Sequence, residues 1–190
     1  GEPSWLFTES VPATGWTLSR SDVHLVSLAP GHTVFGRSAD PTAPMVTVTG
    51  ADCSILGVRF DDAVPQTTLQ RTLRVTGQRC TVSDCRFYAL SPFVADGASD
   101  LQARNNRVLR GGAAAAHAFH LTGSMSRCLV FGNKGDSSEP DTLIRADDLV
   151  TLSSFVGNVQ HGLMSFVLDY KATGGTNNVQ AGNAAAVNAR

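Results

Sequence analysis

The aspartates are the side chains whose type and spacing come nearest to chemistry. Asp61 and Asp62 stand side by side after an alternating segment that ends at Phe60, and Asp84 falls one repeat later. Asp147-Asp148 is a second adjacent pair, and Asp136, Glu139 and Asp141 share one short polar segment. Two carboxyl groups held roughly 5 to 9.5 Å apart can cleave a glycosidic bond, one as acid and the other as base or nucleophile. Adjacent aspartates are also ordinary turn-formers, and the spacing alone leaves both readings open. For an enzyme, Asp61, Asp62 and Asp84 are the residues to substitute. His117 and His120 lie three apart, a spacing that serves a metal on a helix. Here the flanking Gly111–Ala118 segment reads as loop running into strand, so no metal and no cofactor is assigned. The four cysteines, at 53, 80, 85 and 128, form no Cys-x-x-Cys pair.

These groups are carried by a repeat. Val46-Thr47-Val48-Thr49-Gly50-Ala51-Asp52-Cys53 runs into Ser54–Phe60, and Leu73-Arg74-Val75-Thr76-Gly77-Gln78-Arg79-Cys80 runs into Thr81–Phe87. Phe119–Ser126 followed by Arg127–Phe131 is a third copy. Each copy is an alternating strand, a turn centred on Thr-Gly or its equivalent, and a second alternating strand. A unit so short cannot bury its own apolar face and must stack on copies of itself. With Gly50, Gly77, Gly97, Gly123, Asp147 and Lys171 as turn anchors, the gaps are 27, 20, 26, 24 and 24 residues. Four residues before each anchor stand Val46, Leu73, Phe93, Phe119, Leu143 and Val167, an unbroken apolar column. Eight after stand Val58, Cys85, Asn105, Phe131, Phe155 and Val179. Asn105 breaks that column, which predicts a bulge near Asn105-Asn106. Asn106, Asn133, Asn158 and Asn178 recur late in the repeats and read as a ladder of turn amides bridging coils.

Cys53 and Cys80 each lie three residues past an anchor glycine, so stacking brings them to roughly 4.8 Å at the Cα. That permits a disulfide, although buried free thiols fill such a column equally well. Helix is nearly absent. Gly111–Ala118, Gln66–Gln70 and Gly135–Asp141 read as excursions between coils. The chain divides into an N-terminal capping segment (1–22), with Trp5, Leu6, Phe7 and Trp16 closing the stack, a β-helix (23–183) and a short tail (184–190).

Composition removes several classes of function. The formal charge is −1, hydrophobic residues make up 42%, and of 15 basic residues only Lys134 and Lys171 are lysine. No basic block points to nucleic acid or to an anionic membrane. No apolar run approaches the roughly 18 residues of a membrane span. The chain opens Gly1-Glu2-Pro3 without Met, which reads as a processed or trimmed start or as a fragment of something longer.

Together, Ser21-Asp22-Val23-His24-Leu25, Ala29–Gly36 and Gly50–Phe60 resemble the right-handed parallel β-helices of the pectin-lyase-like superfamily. The resemblance covers Val23 to Asn183 and implies an all-β solenoid of about seven coils. Its members include polysaccharide lyases, polygalacturonase-type hydrolases and phage tailspikes. A lyase would need carboxylates holding a cation, with an Arg or Lys taking the proton. The modest loops leave little material for a cleft, which favours a non-enzymatic phage virion protein: a capsid decoration, spike or fibre domain. Such a protein is expected to be a homotrimer bound to other virion proteins. The alternatives are a tailspike-type lyase or glycoside hydrolase acting on bacterial surface polysaccharide, virion-borne or secreted, and a carbohydrate-binding adhesin.

Overall fold

A computed structural model of the chain describes residues 7–10, 14–30, 33–36, 43–62, 72–89, 93–110, 117–137, 142–147, 149–162, 166–170 and 177–186. Among them there is no helix. Every strand pairing is parallel to the next coil, and the strands fall into three long sheets of seven, seven and eight strands. The first sheet holds Trp16–Leu18, Val46–Val48, Leu73–Val75, Phe93–Asp96, His117–Thr122, Thr142–Ala146 and Phe166–Tyr170. The second holds His24–Val26, Ser54–Leu56, Thr81–Ser83, Gln102–Arg104, Leu129–Phe131, Ser154–Val156 and Val179–Ala181. The third begins with Phe7–Ser10 and continues through Thr33–Gly36, Arg59–Asp62, Arg86–Ala89, Arg107–Arg110, Lys134–Ser137, Val159–Gly162 and Ala184–Ala186. A short pair, Met125–Ser126 with Val150–Thr151, sits between the first two sheets in sequence. This is an all-β parallel β-helix.

Alternation explains why these segments are strands. In Val46-Thr47-Val48 and Leu73-Arg74-Val75 the outer residues are buried and the middle one faces out. Stacking each coil on the last lines up the buried aromatics. Trp16, Phe35, Phe60 and Phe87 follow one another at centroid distances of 5.1, 6.0 and 5.1 Å. Phe119 then meets Phe87 at 6.3 Å and Phe93 at 5.6 Å. Trp16 begins this row of rings, and Trp5 and Leu6 lie outside the described residues.

Two corners are turned by left-handed backbone. Between the first and second sheets the turning residues are Asp22, Asp52, Arg79, Asp100, Arg127, Leu152 and Asn177, with φ from 51° to 61°. Between the second and third they are Gly57, Asp84, Asn105, Gly132, Gly157 and Gly182. Asp, Asn and Gly tolerate this region best. Gly77 is glycine for another reason. Its φ is not left-handed, but a Cβ there would overlap the Gly50 carbonyl of the preceding coil.

Several expectations are corrected. The coils are not about seven equivalents. An apolar side chain or glycine fills the buried position of all three sheets in about four turns, from Val46 to Gly135. The following turn puts Gln160 there, and Val179–Ala181 is exposed throughout. The stack also reaches beyond residues 23–183, since Phe7–Ser10, Trp16–Leu18 and Ala184–Ala186 all pair within the sheets. In the first sheet Phe119 pairs with Ile144 and Ile144 with Leu168, each one residue later than the expected Leu143 and Val167. No bulge lies at Asn105-Asn106. The extra residue is in the corner between Asp96 and Gln102, where the offset to the preceding coil grows from 20 to 21 residues. The bulge falls after Val108, as Phe87 pairs with Val108 and Tyr88 with Arg110.

Once the shift is taken in, the asparagine ladder becomes regular. Asn106, Asn133, Asn158 and Asn183 follow in register, and Asn178 belongs to a different corner. Each rung repeats one pattern. Asn133 Nδ2 donates to Ala103 O (2.9 Å) and to Asn158 Oδ1 (3.0 Å), and its Oδ1 accepts from the Asn106 backbone N–H (3.0 Å). Of the excursions, Gly135–Ser137 is strand, as are His117 and Ala118. Gln66–Gln70, 111–116 and 138–141 lie outside the described residues. All four cysteines are buried free thiols, Cys53 and Cys80 included.

Candidate functional site

The outward face of the first sheet collects five polar side chains from two neighbouring coils. Phe119 and Leu121 point into the core, so His120 and Thr122 face out from the His117–Thr122 strand. One coil on, Arg145 stands in register with His120, and Asp147 follows the end of the Thr142–Ala146 strand. His117 opens its strand, and its ring comes within 5.4 Å of the His120 ring. A spacing of three would put two residues on opposite faces of a regular strand. The position of His117 at the strand's start lets both rings reach one side.

Asp147 joins the group. Its Oδ2 accepts from His120 Nε2 at 2.8 Å and its Oδ1 from Arg145 Nε at 3.0 Å. Arg145 Nη1 lies 3.2 Å from His117 Nε2. His120 and Arg145 are each 20% exposed and Asp147 itself 24%. Burial by itself would raise the Asp147 pKa. Hydrogen bonds from Arg145, His120 and Thr122 outweigh it and hold the carboxyl at about 2. An ionised carboxylate only accepts, so the His120 proton is on Nε2 and Nδ1 is the basic nitrogen of the neutral ring. Arginine only donates, so His117 accepts through Nε2 and carries its proton on Nδ1. The result is an imidazole oriented by a carboxylate, with a guanidinium beside it: a general base and a cation at one place. Val94 and the Arg74–Asp96 ion pair (2.7 Å) continue the same outward face one and two coils back.

The aspartates singled out from the sequence are elsewhere. Asp61 is in a strand of the third sheet, not at a corner, and accepts from Arg59 Nη2 at 3.0 Å. The same guanidinium covers the Tyr88 ring at 4.2 Å. Asp62 ends that strand, and its side chain lies outside the described residues. Asp84 turns the corner between the second and third sheets and is hydrogen-bonded to Ser83 Oγ. Asp61 is in register with Tyr88, four residues beyond Asp84, and among the described contacts the two carboxylates do not meet. Asp136 is paired with Arg107, and Glu139, Asp141 and Asp148 lie outside the described residues. Among the described residues no group of three His, Cys, Asp or Glu side chains could hold a metal ion.

Sequence reasoning named His117, His120 and Asp147 separately and passed over Arg145. Correct register was the missing signal: a 25-residue offset sets His120 opposite Arg145 and Thr122 opposite Asp147.

No family model matches the chain, and no curated protein does. Solved structures do. The pectin methylesterase from Aspergillus niger aligns with 95% of this chain and 75% of its own, at TM-score 0.56 and 9% identity. The pectin methylesterase from Yersinia enterocolitica aligns over 99% and 89%, at TM-score 0.55 and 11% identity. At such identity the likeness is one of fold: like those two structures, this chain is a parallel β-helix, with three parallel sheets wound into one solenoid.

Proposed function

We propose that this protein hydrolyses an ester on an acidic polysaccharide, on the outward face of its first sheet. The observation that carries the reading is the contact of His120 with Asp147, with Arg145 bound to the same carboxylate. In the proposed reaction His120 Nδ1 takes a proton from water as the water oxygen attacks the ester carbonyl carbon. Arg145 offsets the charge that develops on the carbonyl oxygen. Collapse of the tetrahedral intermediate breaks the bond to the alkoxy oxygen, which leaves with the proton held by His120. Asp147 keeps the ring in the reactive tautomer throughout. An open sheet face suits a polymer, which can lie across several coils without a closed cleft. The fold shared with two pectin methylesterases supports the ester as the bond to try first. The test is release of alcohol from a methyl-esterified polygalacturonate. His120→Ala is expected to lower kcat by about 100-fold or more with the fold intact. Unchanged turnover in that variant would remove the assignment, as would an inactive wild-type protein across esterified and acetylated acidic glycans.

A second reading, the trimeric phage virion protein, is favoured by a different observation. On the second sheet Leu129, Phe131 and Val179 point outward at 37, 43 and 56% exposure, and Leu152 stands at the adjoining corner at 54%. Phe131, Val156 and Ala181 are in register across three coils. An apolar strip of this kind is what a side-by-side association of β-helices would cover. Partner virion proteins and a place on the virion, with secretion as the alternative, belong to this reading.

A further inference from the structure

We infer that the corner between the second and third sheets is a binding groove for a linear polyanion of the acidic-glycan class, gripped by one cation per coil. This site is on a different part of the solenoid from the His120 cluster and does not depend on it. A cavity of about 420 Å³ is lined there by Pro30, Asp84, Arg86, Asn105, Arg107 and Lys134, among others. Its cations form part of a column. Arg59 is in register with Arg86, Arg86 with Arg107, and Arg107 with Lys134. In-register strands put such neighbours roughly 4.8 Å apart at the backbone.

The other αL corner shows what a column built for folding looks like. There Arg79 holds Asp52 through two bonds of 2.7 Å, and Arg127 holds Asp100 in the same way. Those charges alternate in sign from coil to coil. The column at the groove does not alternate. Like charges directly opposite one another weaken a sheet, so four cations in succession work against folding. Arg59 and Arg107 are each answered by one carboxylate, Asp61 and Asp136. Arg86 and Lys134 are exposed and have no carboxylate partner among the described residues. Among the described residues Asp84 is the one acidic side chain in the lining, and it is hydrogen-bonded to Ser83. Anionic groups spaced at about the coil repeat would relieve the repulsion, and an extended chain of uronate residues offers them at comparable spacing.

The lining favours a glycan over nucleic acid. Single-stranded nucleic acid is held by aromatic platforms as well as by charge. Among the described residues no aromatic side chain lines the cavity, and the nearby Tyr88 ring is covered by Arg59. Gly132, Asn105 and Asp84, all in the lining, turn this corner with left-handed backbone.

The experiment is equilibrium binding of fluorescently labelled polygalacturonate to the full chain, at low and at physiological salt. Neutral dextran and an oligodeoxythymidylate serve as comparison ligands. The wild-type protein is expected to bind the polygalacturonate with an affinity that falls as salt rises, and not to bind dextran. The double variant Arg86→Gln/Lys134→Gln should lose affinity by roughly tenfold or more and show a shallower salt dependence. Arg79→Gln, at the other corner, should bind as wild type does. The inference falls if the wild-type protein does not bind at low salt, or if the double variant binds undiminished. It falls equally if Arg79→Gln loses as much, or if the oligodeoxythymidylate binds more tightly than the glycan.

Discussion

Asp147 sits where burial and hydrogen bonding pull in opposite directions. Burial favours the neutral acid, while bonds from Arg145, His120 and Thr122 favour the anion and bring the pKa from 3.8 to about 2. Because the folded-state value is the lower one, Asp147 stabilises the fold fully above the unfolded value. That contribution disappears as pH falls from about 4 to about 2. Solvent reaches this site, so the contribution is about 1 kcal/mol once screening is allowed for. Asp147→Asn is therefore expected to flatten the acid limb of stability against pH, measured by urea unfolding between those limits. A limb as steep as wild type would mean that other carboxylates set it. Asp52 and Asp100 are also held below the ordinary carboxylate value, by Arg79 and Arg127 respectively, and remain as a common background. The cysteines act by filling space. Burial pushes the Cys85 thiol up to about 12 and raises Cys80 and Cys128 as well, so these sulfurs stay protonated and weakly reactive.

The elements are held at their corners more than along their strands. Strands of three or four residues contribute few hydrogen bonds each, and every corner must be fixed separately. The asparagine ladder does this between the second and third sheets. Removing the Asn133 side chain would strand the buried Asn106 N–H and the Ala103 carbonyl, groups otherwise satisfied at 3.0 and 2.9 Å. Each buried group left unpaired costs about 1–3 kcal/mol. Asn133→Ala is thus expected to lose about 3 kcal/mol or more in chemical denaturation, and a loss under 1 kcal/mol would show the ladder to be incidental. The repeat of asparagine was visible in the sequence. Its last rung was not, because Asn178 and Asn183 both fit the period loosely and only the pairing chooses Asn183. Gly135 teaches the same lesson. The polar run Lys134-Gly135-Asp136-Ser137 has the composition of a loop, yet it forms a strand. A side chain at 135 would collide with the Gln160 amide and with Leu143, so glycine there is a packing choice.

On the scale of the whole molecule, the solenoid is best packed in its middle and thins toward its C-terminal end. Phe60, Phe87, Phe93, Phe119 and Phe155 are fully buried, while Val179–Ala181 presents exposed residues. If the apolar strip of Leu129, Phe131, Leu152 and Val179 is covered by further copies, light scattering should give about three times 20.0 kDa. Phe131→Asp should then return the protein to monomer. A monomeric wild-type protein would leave the virion reading without its support and leave the first-sheet reading untouched.

The class of fold follows from the amino-acid pattern alone. Its twenty-odd-residue period and strict alternation permit burial only by stacking, and residues such as Val46, Leu73, Phe93 and Phe119 fall in one column whatever the loops do. It also determined that the thiols and the late asparagines would stack. Register lay beyond it, because coil lengths vary and a slip of one residue passes unnoticed where both candidates are apolar, as at Leu143 and Ile144. Register is what makes a site in a solenoid, since catalytic partners lie one coil apart instead of nearby in sequence. Asp61 and Asp62 drew attention as neighbours in the chain. Tertiary structure tied Asp61 to Arg59, and assembled His117, His120, Arg145 and Asp147 from residues up to 30 positions apart. It set the cations of the third sheet in line for the same physical reason: parallel in-register pairing converts a period along the chain into a row across the surface.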